Sequence, residues 1–104
     1  MGGFTAVLEE GELEADAMRA VDVEAIYVLV SRSKDGQVCA IANTCTHRGG
    51  PLNEGERESN VVTCPWHGSQ FDLCSGEVLR EPAREPQQNF EAHLRNGKRE
   101  VRSP

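Results

Sequence analysis

The chain has 104 residues, the length of one compact domain, so we predict a single domain over residues 1–104. Its 17 acidic and 11 basic side chains give a formal charge of −6, which argues against a nucleic-acid partner because nucleic acids bind through clustered Lys and Arg. No apolar run approaches the roughly 18 residues that span a membrane, and the N-terminus lacks a signal-peptide pattern. We therefore expect a soluble, cytoplasmic protein with no membrane partner.

The negative charge is concentrated in the first part of the chain. Residues 1–44 hold eight acidic against three basic side chains, whereas residues 45–104 hold nine against eight. An acidic surface of this kind either keeps a protein in solution or docks a basic partner. The sequence leaves both interpretations open.

Short strands and turns are the dominant pattern in the first half. Residues 9–20 are rich in Ala and Glu and could form a helix, although an internal glycine and the lack of an apolar stripe weaken that prediction. Alternation over residues 21–25 leads into the run Ile26–Val30, which predicts a strand. Asp35-Gly36 favours a two-residue hairpin turn, and the apolar residues 38–42 then read as the returning strand.

The second half begins with a segment of loops. Glycine and proline interrupt nearly every stretch between about residues 43 and 85, so this segment is predicted to be held by something other than a long ladder of backbone hydrogen bonds. Residues 90–94 then alternate, and Asn96-Gly97 predicts a second hairpin. The predicted fold class is therefore all-β, with one loop-rich insert.

Two short motifs in this insert carry metal-binding side chains, Cys45-Thr46-His47 and Cys64-Pro65-Trp66-His67. Each motif places a thiolate and an imidazole on one tight turn, so two such turns offer two sulfur and two nitrogen ligands, a set that suits zinc or an iron–sulfur cluster. Zinc modules usually pair Cys with Cys and His with His, whereas here each half mixes the two. That mixture favours a two-iron centre in which one iron takes both cysteines and the other both histidines.

At these residues the chain resembles the Rieske 2Fe–2S family, whose signature is Cys-x-His followed further along the chain by Cys-x-x-His. The resemblance takes in the neighbouring glycines and prolines and, less sharply, the flanking hairpins, so that most of residues 24–102 fit it. It implies a Rieske-type antiparallel β sandwich. It also implies one Rieske-type 2Fe–2S cluster, bound by a loop-rich cluster-binding subdomain at about residues 43–85.

The resemblance implies a role for each ligand. Cys45 and Cys64 hold the inner iron as thiolates, whereas His47 and His67 hold the outer iron close to solvent. The exposed edge of the imidazoles is then the route for electrons. The chain is accordingly expected to carry electrons and to have no catalytic residue of its own.

The chain also departs from part of the family. Rieske proteins of respiratory and photosynthetic cytochrome complexes join their ligand loops by a disulfide, but those two positions are Gly50 and Trp66 here, so we expect a member of a disulfide-free branch. Ser69 is expected to bind the cluster by donating a hydrogen bond, whereas Phe71 replaces a tyrosine donor. We therefore expect a lower reduction potential than in the cytochrome complexes.

The other candidate side chains have simpler interpretations. Cys39 in its apolar strand reads as a small buried hydrophobe and Cys74 as a similar residue or part of a surface turn, so a disulfide between them is only a minor alternative. His93 reads as a strand-surface residue. Trp66 reads as an apolar shield over the cluster, or alternatively as a stacking platform for electron transfer.

The function implied is that of a soluble electron carrier. The chain is similar to the ferredoxin components of multicomponent oxygenases, whose partners are a flavin-dependent reductase and a terminal oxygenase or other redox enzyme. Two alternatives stay open at this point. One is a small Rieske-like subunit of a nitrite reductase complex, and the other is a structural zinc-binding interaction module.

Overall fold

A computed structural model describes residues 4–23, 26–33, 35–46 and 49–102 of the chain. Within these residues there are ten β-strands and two short 3-10 helices, Glu10–Glu12 and Leu52–Glu54, and there is no α-helix. The predicted all-β class is therefore confirmed. Over the same ranges, no helix is long and apolar enough to cross a membrane.

The strands form two antiparallel sheets. The larger sheet contains β1 (Thr5–Glu9), β2 (Met18–Val23), β3 (Ile26–Arg32), β4 (Val38–Ala42), β9 (Asn89–Arg95) and β10 (Lys98–Arg102), in the order β1-β10-β9-β4-β3-β2. The smaller sheet contains β5 (Glu56–Glu58), β6 (Val61–Thr63), β7 (Gln70–Asp72) and β8 (Val78–Arg80), in chain order. The smaller sheet falls inside the loop-rich insert. The division into one domain with a subdomain at about residues 43–85 stays a prediction.

The hairpins occur where the sequence predicts them, with two differences. The stretch over residues 21–30 forms two strands rather than one, because Val23 pairs with Ile26 across a reversal of the chain. The first hairpin turn is also wider than two residues, since Ser33 and Gln37 close it through a backbone hydrogen bond of 2.9 Å. Residue 34, in that turn, lies outside the described residues.

The helix considered for residues 9–20 does not form. A single 3-10 turn is followed by the start of β2 at Met18. Leu13 is the only buried side chain between residues 9 and 16. An α-helix in a small protein depends on packing one apolar face against a core, and one leucine among acidic residues does not supply such a face.

Two core clusters stabilise the fold, and they lie on opposite faces of the larger sheet. Val28 and Val30 of β3 belong to a cluster contributed by the larger sheet and Leu13, whereas Leu29 belongs to a cluster shared with the smaller sheet. β3 is therefore buried on both faces and reads as a continuous apolar run. The shared cluster contains both predicted cysteine ligands, Cys45 and Cys64.

A covalent bond joins the two sheets, and here the sequence prediction was wrong. Cys39 of β4 and Cys74, in the turn after β7, form a disulfide with their Cα atoms 4.8 Å apart. The Asp72 carboxylate shapes that turn by accepting hydrogen bonds of 2.8 Å from the backbone N–H groups of Cys74 and Ser75. The expectation that Cys39 and Cys74 stay reduced, and that the chain belongs to a disulfide-free branch, is corrected because the packing of the sheets brings the two side chains together.

A second contact between the sheets is polar. The Arg57 guanidinium of β5 donates a hydrogen bond of 2.7 Å to the carbonyl of Ala17, just before β2. Partial burial lowers the pKa of Arg57, and the nearby Asp16 carboxylate opposes that change. An arginine keeps its charge under all ordinary conditions, so this contact stays a charge-assisted one.

Candidate metal centre

The first ligand loop, residues 45–50, is closed by its own backbone. The N–H of Cys45 donates to the carbonyl of Gly50 at 2.8 Å, and the N–H of Gly49 donates back to the carbonyl of Cys45 at 2.9 Å. Gly49 has φ 78°, in the left-handed region that glycine adopts most readily. His47 lies outside the described residues.

The second ligand loop, residues 64–69, repeats this arrangement at the same spacing. The N–H of Cys64 donates to the carbonyl of Ser69 at 2.7 Å, and the N–H of Gly68 donates to the carbonyl of Cys64 at 3.1 Å. Gly68 has φ 79°, nearly the same value as its counterpart in the first loop. The two ligand motifs are thus presented by two loops of the same design.

The two predicted cysteine ligands are buried, whereas the one predicted histidine ligand that the structure describes is exposed. Cys45 and Cys64 are each 3% exposed and pack in the shared core cluster, whereas His67 is exposed. The buried thiols are therefore shielded from water at the inner end of the loops. His67 presents its ring at the surface.

Among the described residues, no group of three or more Cys, His, Asp or Glu side chains is arranged to hold one metal ion. A Rieske centre asks for only two protein ligands on each iron, with bridging sulfide completing the coordination. The finding is therefore compatible with two cysteines on one iron and two histidines on the other.

The loops touch each other at Gly50. A Cβ atom added at this position would lie 2.8 Å from the Cys64 sulfur and 3.1 Å from the Trp66 ring. Only glycine fits there without displacing the opposite loop. Trp66 is 56% exposed, so one part of its ring lies against Gly50 of the first ligand loop while the rest faces solvent, and both interpretations of this residue stay predictions.

Ser69 is fully buried and its hydroxyl oxygen accepts a hydrogen bond of 2.9 Å from the backbone N–H of Ala83. A hydroxyl that accepts one bond still has its own proton to donate. Buried donors almost always have a partner, so this proton fits a sulfide or thiolate acceptor at the site. Phe71, in the same core cluster as the cysteines, has no hydroxyl to add a second donor.

Gln87 contacts the first ligand loop, and the sequence did not predict this. Its side chain is almost completely buried and makes three hydrogen bonds to the strand end and loop that precede His47. A glutamine in a polar stretch carries no local sign of such a role. The only available hint is its place just before an alternating strand.

The chemistry of the donor set fits an iron–sulfur cluster. Two buried thiols, an exposed imidazole and a buried hydroxyl with a proton to donate lie on two matching turns at one end of a small antiparallel sheet. This arrangement suits an iron–sulfur cluster with mixed Cys/His ligation.

Residues 3–91 match the family model described as the Rieske [2Fe-2S] domain, and the chain belongs to that family. The chain is 33% identical over 92 residues to the ferredoxin CarAc of Metapseudomonas resinovorans, a match that covers 88% of this chain and 85% of the relative.

Solved structures of ferredoxins have the same fold as this chain. The ferredoxin of carbazole 1,9a-dioxygenase from Nocardioides aromaticivorans IC177 has a TM-score of 0.89 at 27% identity, over 97% of both chains. A chain in the complex of reduced oxygenase and oxidized ferredoxin in carbazole 1,9a-dioxygenase has a TM-score of 0.86 at 32% identity, over 93% of this chain and 99% of that one.

These comparisons confirm the family, the Rieske ferredoxin fold and the predicted cofactor, one Rieske-type 2Fe–2S cluster. They favour a cluster over the zinc-module alternative. The assignment of individual ligands to Cys45, His47, Cys64 and His67, and of a hydrogen bond to Ser69, stays a prediction.

Proposed function

We propose that this chain is an electron carrier that accepts single electrons from a flavin-dependent reductase and passes them to a terminal oxygenase. The observation that carries the proposal is how much of each related ferredoxin the chain matches. The match extends over 85% of the ferredoxin CarAc and 97% of the carbazole 1,9a-dioxygenase ferredoxin, so the chain is similar to nearly the whole of each ferredoxin. The carrier is proposed to work in the cytoplasm.

The proposed ligand assignment follows the depth of the side chains. Cys45 and Cys64 would hold the inner iron, and His47 and His67 the outer one. When bound, the cluster takes up and returns one electron. The protein's contribution is to keep water from the thiols by burying them and to place the His67 ring where a partner can approach it.

Features at the same end of the molecule suit a partner surface. Trp66 and His67 are both exposed, and a groove of about 370 Å³ lined by Thr46, Pro82, Arg84 and Glu85 lies beside the first ligand loop. Aromatic side chains and arginine are enriched in protein interfaces. We propose that the terminal oxygenase docks on this end.

The test is metal analysis followed by electron transfer. Protein made in iron-replete cells should contain two iron and two sulfide per chain, should be reduced by a flavin reductase, and should sustain turnover of a terminal oxygenase. Zinc in place of iron would contradict the proposal, as would oxygenase turnover that is independent of the protein. Copurification of a large catalytic subunit would instead support the nitrite reductase alternative.

We expect a midpoint potential in the lower half of the roughly −150 to +300 mV range of Rieske centres, because Phe71 supplies no hydroxyl donor. Phe71→Tyr should raise the midpoint, and Ser69→Ala should lower it, because each donor stabilises the more negative reduced state. Protein-film voltammetry at neutral pH measures the midpoint potentials of the wild-type protein and the two variants.

Ser69→Ala also leaves the buried N–H of Ala83 without its acceptor, which should cost about 1–3 kcal/mol of folding free energy. Thermal unfolding of the same sample therefore separates loss of stability from a change in potential. Ser75→Ala, at an exposed serine, is the matched control. An unchanged midpoint in Ser69→Ala would show that backbone donors and burial set the potential instead.

A further inference from the structure

We infer that Gln87 is a positioning residue for the cluster: its side-chain amide fixes the chain on both sides of Cys45 and thereby sets the cluster's retention and potential. The inference rests on the proposed function, because it takes Cys45 and His47 as ligands. It concerns how this chain holds its first ligand loop and the residues just before it, to which the Gln87 side chain makes three hydrogen bonds.

The argument begins where the pairing of β4 with β9 ends. Ala40 pairs with Phe90, Ile41 pairs with Asn89, and the backbone N–H of Ala42 donates to the carbonyl of Gln88 at 2.8 Å. Beyond Ala42 the chain leads into the first ligand loop, and within the described residues its backbone no longer pairs with β9. Its backbone groups then need partners from elsewhere, because buried peptide groups are costly to leave unpaired.

The Gln87 side chain supplies those partners. Its amide nitrogen donates to the carbonyls of Ala42 at 2.7 Å and Thr44 at 2.8 Å, and its amide oxygen accepts from the N–H of Thr46 at 2.7 Å. A primary amide offers the same donor and acceptor types as a peptide unit. The side chain thus continues the ladder that the backbone of β9 can no longer provide.

The position of Gln87 is itself well determined. Its side chain and backbone together are 2% exposed, and its backbone N–H donates to the carbonyl of Gly76 at 2.8 Å. A Cβ atom at Gly76 would overlap the Gln87 carbonyl, so the two segments are in close contact. The Thr46 hydroxyl adds a second tie to the same segment by donating to the Glu85 carbonyl at 2.7 Å.

The contacts matter for the cluster because Thr46 lies between two proposed ligands. Cys45 precedes it and His47 follows it, and the proposed assignment gives one of them to each iron. Fixing the Thr46 N–H fixes the peptide plane that joins Cys45 to Thr46. Groups that orient ligands in this way typically contribute about 10- to 100-fold to metal affinity.

The decisive variant is Gln87→Leu, which has a similar volume and removes all three hydrogen bonds. We expect the cluster to be lost to a chelator about tenfold faster than from the wild-type protein. We also expect a changed midpoint potential and shifted paramagnetic resonance g-values. Gln87→Glu keeps the acceptor for the Thr46 N–H but replaces the donor to the Ala42 and Thr44 carbonyls by a carboxyl oxygen, so it should also lose the cluster faster than the wild-type protein.

Two controls separate positioning from a general loss of stability. Gln88→Leu changes the exposed neighbour, and should behave as wild type in all three measurements. Val101→Ala opens a cavity in the other core cluster, away from the ligand loops, and should lower thermal stability while leaving the g-values and midpoint unchanged. Each variant is measured as cluster-loaded full-length protein.

The assignment is overturned if Gln87→Leu keeps the wild-type midpoint and g-values and loses its cluster no faster than Val101→Ala. A wild-type protein that contains no iron is a different failure, because it overturns the proposed function and the assignment together. If the wild-type protein has a Rieske spectrum and Gln87→Leu behaves as the wild type, only the role of Gln87 is overturned.

Discussion

Replacing Cys64 by serine should abolish the cluster, and replacing His67 by alanine should abolish the spectrum of mixed Cys/His ligation. Serine keeps the size of the side chain, and the hydrogen bonds that close the second ligand loop are made by the backbone. The loop can therefore keep its shape while it loses a thiolate. Iron and sulfide content, visible absorption and paramagnetic resonance are the measurements.

The third histidine provides the matched control for this prediction. His93 lies on β9, where its ring nitrogen is 2.6 Å from a Glu100 carboxylate oxygen and its ring stacks on Phe4. His93→Ala should therefore leave the cluster spectrum intact. A full complement of iron in Cys64→Ser with an unaltered spectrum would contradict the assignment of the inner ligands.

Removing the Cys39–Cys74 disulfide should lower the free energy of unfolding by about 2–4 kcal/mol, because the bond restricts the unfolded chain. It joins residues 35 apart in sequence and crosses from one sheet to the other. For a domain whose whole stability is about 5–15 kcal/mol, this is a large fraction. Chemical denaturation of the wild-type protein and of the double variant Cys39→Ala, Cys74→Ala measures the difference.

The state of the bond is checked by alkylating the unfolded, cluster-free protein without reductant. Two modified cysteines per chain are expected from the structure, and four would show that the bond does not form in the purified protein. The single variant Cys74→Ala should match the double variant in stability. Equal stability of the wild-type protein with and without reductant would show that packing alone holds the sheets together.

The ligand motifs could be recognised from sequence because their chemistry is local. Cys45-Thr46-His47 and Cys64-Pro65-Trp66-His67 place each donor pair within one turn, and no distant contact is needed to see it. The hairpin at Asn96-Gly97 is likewise local, and both residues have positive φ in the structure, 52° and 77°. Features decided within a few residues were therefore predicted.

Features decided by distant contacts were missed. β1 was not predicted. Its pairing with β10 shifts register between Ala6 and Leu8, and this shift disturbs the alternation of buried and exposed side chains by which a strand is recognised. The Cys39–Cys74 bond depends on how the two sheets pack. The hydrogen bonds of the Gln87 side chain depend on where the pairing of β4 with β9 ends. Neither relation leaves a pattern in neighbouring residues.

The two ligand loops are closed in the same way, each by its own backbone, so the length of chain between them can change without opening either loop. Each loop is completed by hydrogen bonds between its own first residue and its last two residues, so neither loop depends on the length of chain between them. The connecting residues run through a 3-10 turn and the hairpin of β5 and β6. Insertions at the Ser59–Asn60 turn of this hairpin should therefore be tolerated. A graft of this centre onto another β scaffold would need to reproduce the two short loops and the Gln87 contacts that hold the first of them, but not a fixed length of chain between the loops.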